Sequence, residues 1–202
     1  MPTGRAAPGN TPPRDDDLTA RARIRYAALD LYATHGEDSV SMRRVAAEVG
    51  VTIGLIQHHF GTKEGLRRAV DDLVIDQIAG ALAGVDHTGT AAEIVSARDE
   101  AVRALLRENP QIVRYINRAL LEPDGRGAGL LEALVELTVR EVDRLRRGGH
   151  ASTATSDKLQ VVRTLMYQVG ELFLDPVTEA IWQQLGGDPA ESPILRITAE
   201  QR

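Results

Sequence analysis

The sequence predicts an all-α protein of about nine helices, with an N-terminal three-helix head carrying a helix-turn-helix and a larger helical body after it. Three observations carry this. Apolar residues recur at three- and four-residue spacing through nearly the whole chain, and no stretch alternates with the period of a half-buried strand. Ser, Thr and Gly stand at the ends of those periodic stretches, where helix caps belong. Two of the stretches, on either side of Gly50, are too short to be anything but a pair of helices meeting at a tight turn.

The first helix is expected from about Leu18 to His35, with Ile24, Ala27, Ala28, Leu31 and Tyr32 as its apolar stripe and Gly36 as a left-handed C-cap. Ser41 is placed to cap the second, with Val40 and Val45 as a hydrophobic staple. Thr52 repeats the arrangement for the third, with Val51 and Ile56 as the staple pair. Thr62 caps a fourth, whose stripe is Leu66, Ala69, Val70, Leu73 and Ile78. Gly84 to Gly89 is a break. Thr90-Ala91-Ala92-Glu93 is a capping box opening a fifth helix to about Arg107. Asn109-Pro110 gives a cap and a first-turn proline for a sixth, to about Leu121. Pro123 to Gly129 reads as a loop. The seventh carries Leu130, Leu131, Leu134, Thr138, Val142 and Leu145 and ends at Gly148-Gly149. Ser156 caps an eighth, and Asp175-Pro176 restarts the chain as a ninth that Gly186-Gly187 closes.

The 202 residues suffice for a small domain joined to a medium one, and the boundaries expected are 18–66 for the head and 67–187 for the body. Residues 1–17 are rich in Pro, Gly and Asp, lack the apolar stretch of a signal peptide, and read as a disordered tail; 188–202 read as a loose C-terminal tail. No apolar run reaches the ~18 to 20 residues of a membrane helix. The expectation is therefore a cytoplasmic protein with no membrane partner. With no cysteine, disulfides and thiolate metal sites are excluded. The net charge of −5 argues at first against nucleic acid, but its distribution does not. From Leu18 to Arg68 eight basic residues face five acidic ones, whereas the remainder of the chain is acidic. A basic head on an acidic body suits a protein whose head alone touches phosphate.

The informative stretch runs from Ser41 to Leu66, SMRRVAAEVGVTIGLIQHHFGTKEGL. Two short helices packed at a steep angle need a small residue at the crossing, which Ala46 supplies. They need a turn residue that accepts positive φ, which Gly50 does at low cost. They need apolar anchors for the second helix, and Val45, Val49, Val51, Leu55, Ile56 and Phe60 are available. In this arrangement the second helix enters a DNA major groove by its N-terminal end.

From Thr19 to Leu66 the chain resembles the DNA-binding head of the TetR family of transcriptional regulators. The features that match are the Ala-rich first helix ending in Gly36, the VAAEVGVTIG turn, and His59-Phe60-x-x-Lys63-Glu64-x-Leu66. The resemblance implies a ligand-responsive DNA-binding regulator, more often a repressor, acting as a homodimer on a palindromic operator in double-stranded DNA. It implies a body that binds a small-molecule effector of unknown identity and dimerises through its last two helices. One residue departs from the family pattern: Gln57 stands where a Tyr usually contacts phosphate, and can instead donate to phosphate or read an adenine edge. The residues expected at DNA are Ser41, Arg43, Arg44, Thr52, Gly54, Gln57, His58, His59 and Lys63, with Lys63 holding a phosphate at the start of the fourth helix.

In the body, Tyr115, Asn117, Met166 and Tyr167 interrupt apolar stripes and are the expected ligand-binding residues. Apolar coverage of the eighth and ninth helices is wider than one buried face requires, so Leu165, Val169, Leu172, Phe173, Ile181 and Trp182 are expected at a dimer interface. No phosphate loop, nucleophile elbow or carboxylate set at metal spacing is present, so no catalytic residue, no metal and no cofactor is expected. Adjacent histidines on a helix diverge by ~100°, which sets His58 and His59 against shared ligation. The alternative reading is a helical small-molecule-binding or scaffold protein that does not bind DNA.

Overall fold

A computed structural model describes residues 20–121, 128–151, 154–191 and 193. Those residues form eight α-helices and one 3-10 turn, with no strand. The helices are α1 (Ala20–His35), α2 (Met42–Val49), α3 (Ile53–Phe60), α4 (Lys63–Ala83), α5 (Ala91–Glu108), α6 (Pro110–Leu121), α7 (Ala128–Arg147) and α8 (Asp157–Gln184). The described chain divides into two compact units, one ending at Val70 and the other beginning at Asp71, so α4 starts in the first and ends in the second. No described helix is long and apolar enough to cross a membrane.

The caps explain where the helices start. Ser41, Thr52, Thr62, Thr90 and Ser156 each accept, through the side-chain hydroxyl, the backbone N–H three residues on, at 3.1–3.4 Å. Thr90 and Glu93 complete the capping box in both directions. The first unit closes over Ile24, Leu29, Val45, Ile56 and Leu66 from its helices and Val40 from the loop before α2, all fully buried. In the second unit α7 lies along α8 and α6 along α7. There Tyr115 Oη donates to Asp71 Oδ1 at 2.7 Å and joins α6 to α4.

The structure departs from the sequence expectation in three places. Asp175-Pro176 does not restart the chain: α8 runs through Pro176 as one helix of 28 residues, so the expected eighth and ninth helices are one. Proline there deprives the Leu172 carbonyl of its donor, and the turn that contains it, Leu174 to Val177, is exposed to water. Asn109 finishes α5 rather than capping α6, because its Nδ2 donates back to the Leu105 carbonyl at 2.9 Å. The seventh helix begins at Ala128 and takes in Gly129; the rest of the expected Pro123–Gly129 loop lies outside the described residues. The expected tail 1–17, the Leu18 start of α1 and most of the tail beyond Glu191 lie there too.

Candidate nucleic-acid interface and body cleft

In the head, Gly50 takes φ 71° and ψ 35°, the left-handed region, and Val51 N–H returns to the Ala46 carbonyl at 2.9 Å. This turn swings α3 across α2, with Ala46 and Ile56 buried at the crossing. The outer side of α3 is open: Thr52, Ile53, Gly54, Gln57 and His58 are exposed, and His59 is half-buried. A Cβ on Gly54 would meet only the Thr52 hydroxyl, at 3.8 Å. The head itself therefore does not need glycine there, although glycine in a helix costs about 1 kcal/mol relative to alanine. Gly65 is the opposite case. A Cβ at that position would stand 2.0 Å from the Phe60 carbonyl oxygen, so the close joint between α3 and α4 requires glycine. Nothing in the linear pattern distinguishes Gly65 from a tolerated glycine.

The cations of the head are partly engaged with it. Arg44 Nη2 lies 2.7 Å from His35 Nε2, which leaves its other donors for an outside acceptor. Lys63, in the first turn of α4, donates to the Asp38 carbonyl at 3.4 Å, a long bond that uses one of three donors. Arg43 and Ser41 are exposed, the latter with its hydroxyl bound in the α2 cap. Arg23 donates to the Val49 carbonyl at 3.3 Å and Arg21 lies over the Phe60 ring at 5.8 Å, so both also brace α1 against the pair. His58 and His59 stack edge-on, with centroids 5.4 Å apart.

In the second unit a half-open cleft of about 1780 Å³ lies among α5, α7 and α8, with Ile78 and Leu82 from the end of α4 on its wall. Of the four expected ligand residues only Tyr167 borders it. Tyr115 is buried and committed to Asp71, Met166 is exposed on the outer side of α8, and Asn117, whose buried Oδ1 finds no donor in the protein, is not on the cleft wall. The sequence reading missed the contribution of α5, which brings Arg98, Asp99 and Arg103. Arg98 Nη2 meets Glu141 Oε2 of α7 at 2.5 Å, both side chains nearly buried. Arg103 bridges Glu171 of α8 at 3.2 Å and Glu100 at 2.8 Å. Burial, then the charge of Glu171, raises the Asp99 carboxyl above its ordinary range, and the same two causes in the same order raise Asp175. A hydrogen bond with Glu171, then burial, pushes Tyr167 up to about 12.

The outer side of α8 is apolar and open. Val162, Met166, Val177, Ile181 and Leu185 are exposed, and Phe173 and Gly170 between them are half-buried. Leu165 is 7% exposed and belongs to the core of its own unit, while Val169 and Leu172 line the cleft. Trp182 lies off the stripe: its Nε1 donates to the Asp188 carbonyl at 2.8 Å and its ring covers Gly187, where a Cβ would clash at 2.2 Å.

A helix-turn-helix head joined to an all-helical body with a cleft defines a class of DNA-binding regulators. Comparison with known proteins sharpens this. Residues 24–70 match the family profile "Bacterial regulatory proteins, tetR family". The HTH-type transcriptional repressor Rv3405c of Mycobacterium tuberculosis is 30% identical over 177 residues, which span 88% of this chain and 78% of that protein. The HTH-type transcriptional regulatory protein RaaS of the same organism is 46% identical over 85 residues, 40% of each chain. Among solved structures, a tetR family transcription regulator from Shewanella sp. PV-4 superposes with a TM-score of 0.68 at 20% identity, covering 84% of this chain and 92% of that one. A transcriptional regulator from Rhodococcus sp. Rha1 does so with a TM-score of 0.61 at 21% identity, covering 81% and 87%. The chain belongs to the TetR family and is a DNA-binding transcriptional regulator.

Proposed function

We propose that the chain is an effector-responsive repressor that binds a palindromic operator as a homodimer and releases it when a small molecule enters the body cleft. The observation that carries this is the leading edge of α3. Thr52, Ile53, Gly54 and Gln57 are exposed together at the N-terminal end of a helix whose Ile56, on the other side, is fully buried. Gly54 is compatible with close approach to a groove, and Gln57 with a base edge or a phosphate. Ser41, Arg43, Arg44, His58, His59 and Lys63 supply flanking phosphate contacts. The relatives named as repressors support the sign of regulation.

The apolar stripe on α8 supports a homodimer, since a two-fold partner presenting the same face would cover it. Two recognition helices then sit about 34–36 Å apart, one DNA turn, and demand a palindrome. The link between sites is α4. Its first residue is Lys63, at the proposed phosphate contact, and its last turns, with Ile78 and Leu82, line the cleft. An effector that prefers one setting of those last turns shifts the population of head positions.

The test is DNA binding by Gln57→Ala and Lys63→Ala, using fragments selected from a random library at several salt concentrations. Gln57→Ala should change base preference by about 1–3 kcal/mol at the contacted position. Lys63→Ala should weaken all sites alike and reduce the salt slope by about one. Wild-type binding by both variants at every salt concentration would remove α3 and α4 from the interface.

A further inference from the structure

The leading end of α3 holds two residues that the head does not require. Ile53 is the first residue of the helix, directly after the Thr52 cap, and is 37% exposed, while Ile56 one turn on is fully buried. Closing the core of the head therefore accounts for Ile56 and not for Ile53. Gly54 follows. A Cβ there would meet only the Thr52 hydroxyl, at 3.8 Å, so the fold leaves room for a side chain that the sequence omits. Glycine inside a helix is destabilising, and one that no neighbour demands is explained by a body approaching the backbone from outside. The stretch from Thr52 to Gln57 also carries no charge. Arg and Lys are the side chains that best read guanine, and Asp and Glu accept from cytosine; this end of α3 has none of them. It offers a hydroxyl, an alkyl group, bare backbone and an amide. Ile53 and Gln57 stand four residues apart and so share a face, with Gly54 beside them. His58 comes only after this stretch, further from the end that enters a groove.

We propose, resting on the reading of α3 as the helix that enters the groove, that Ile53 is a specificity-determining residue that packs on the C5-methyl group of a thymine, beside the base that Gln57 reads. That methyl is the apolar group the four bases offer on the major-groove edge; cytosine presents an amine there and the purines present polar atoms. Packing Ile53 on it takes apolar surface out of water on both partners. The β-branch restricts χ1, so little rotamer freedom is lost when the contact forms. Gly54 lets the backbone come close enough for a side chain as short as isoleucine to reach the base edge. An amide suited to N6 and N7 of adenine and an alkyl group suited to thymine make the base pairs under the first turn of α3 A·T rather than G·C.

The experiment uses the full chain and a duplex that it selects from a random library, resynthesised with deoxyuridine in place of one thymidine at a time. Uracil keeps every hydrogen-bonding atom of thymine and loses only the methyl. The wild type should lose about fourfold in affinity at one thymine position, the worth of one buried methyl, and little at the others. Ile53→Ala should bind the thymine duplex about fourfold more weakly and be indifferent to the exchange at that position, so the two changes are not additive. Selection repeated with Ile53→Ala should relax the preference at that base pair alone. Because Ile53 is exposed, the variant should keep the helix content and melting temperature of the wild type. Two results would overturn the proposal: no thymine whose methyl matters, or a uracil effect that persists undiminished in Ile53→Ala. Gln57→Ala in the same assay tells this failure from failure of the α3 reading. If Gln57→Ala alters base preference and Ile53→Ala does not, the methyl contact alone is wrong; if both bind every duplex as the wild type does, α3 lies outside the groove and both ideas fall.

Discussion

The Arg98–Glu141 pair is the interaction whose loss the structure evaluates most directly. It joins α5 to α7 with 2.5 Å between Nη2 and Oε2, and the side chains are 6% and 11% exposed. Removing one partner of such a pair costs about 3–5 kcal/mol, because a charge is left buried without compensation. The two removals are not equivalent. Glu141 has a second cation, Arg144, at 3.6 Å, and that side chain is half exposed, so water and Arg144 together soften the loss of Arg98. Beyond Glu141, Arg98 has the ring nitrogen of His87 at 3.4 Å, which carries no compensating negative charge. Glu141→Ala should therefore fall near the upper end, about 5 kcal/mol, and Arg98→Ala near the lower, about 3 kcal/mol. In this size class 1 kcal/mol moves the melting temperature by about 2–4 °C, so the two variants should melt several degrees apart. Replacing both at once, Arg98→Met with Glu141→Leu, should return stability to within about 1 kcal/mol of wild type, since matched apolar groups need no partner. Urea unfolding followed by circular dichroism, at one fixed protein concentration, reads all four. The reasoning fails if Glu141→Ala is no worse than Arg98→Ala, or if the apolar pair is as unstable as either single variant.

Further outcomes follow from the same structure. Phe173→Glu combined with Ile181→Glu should convert a particle of about 44 kDa, twice the 21.9 kDa chain, to the monomer by sedimentation, with helix content retained. Asp99→Asn should stabilise the chain near neutral pH. The folded state holds the Asp99 proton more tightly than the unfolded chain does, so wild-type stability falls as pH rises from 3.8 through the raised value; the advantage of the variant should vanish when melting is repeated in acid. Pro176→Ala should stabilise the chain by up to about 3 kcal/mol by restoring the donor to the Leu172 carbonyl, read as a higher melting temperature.

The head was readable because its constraints are local. Gly50 needs positive φ, Ser41 and Thr52 sit one residue before their helices, and Ile56 must face inward, so each demand shows in a window of a few residues. The same kind of rule misled at Asp175-Pro176. A proline usually ends a helix because the freed carbonyl has no partner; here residues 174–177 around it are exposed, and the flanking turns hold the helix together. Exposure of one side of a helix is a tertiary fact, and the sequence window does not contain it. Trp182 shows the same limit. The sequence reads it only as part of the apolar coverage of the last helices, whereas its Nε1 also donates to the Asp188 carbonyl of the C-terminal turn.

The cleft was hidden for a related reason. A polar residue that breaks an apolar stripe is conspicuous, and Tyr115, Asn117, Met166 and Tyr167 were chosen on that ground. Asp99 and Arg103 break nothing; on α5 they read as part of a charged, solvated face, among Arg98, Glu100 and Arg107. What converts that face into a wall is the approach of α7 and α8, which places Glu141 against Arg98 and Glu171 against Arg103. The spacing on α8 held the one usable signal. Tyr167, Glu171, Asp175 and Glu179 recur every fourth residue beside a helix face that is otherwise apolar, and like charges at that interval oppose helix stability. A sequence that keeps such a ladder must answer it with charge from elsewhere, and Arg103 answers only part of it.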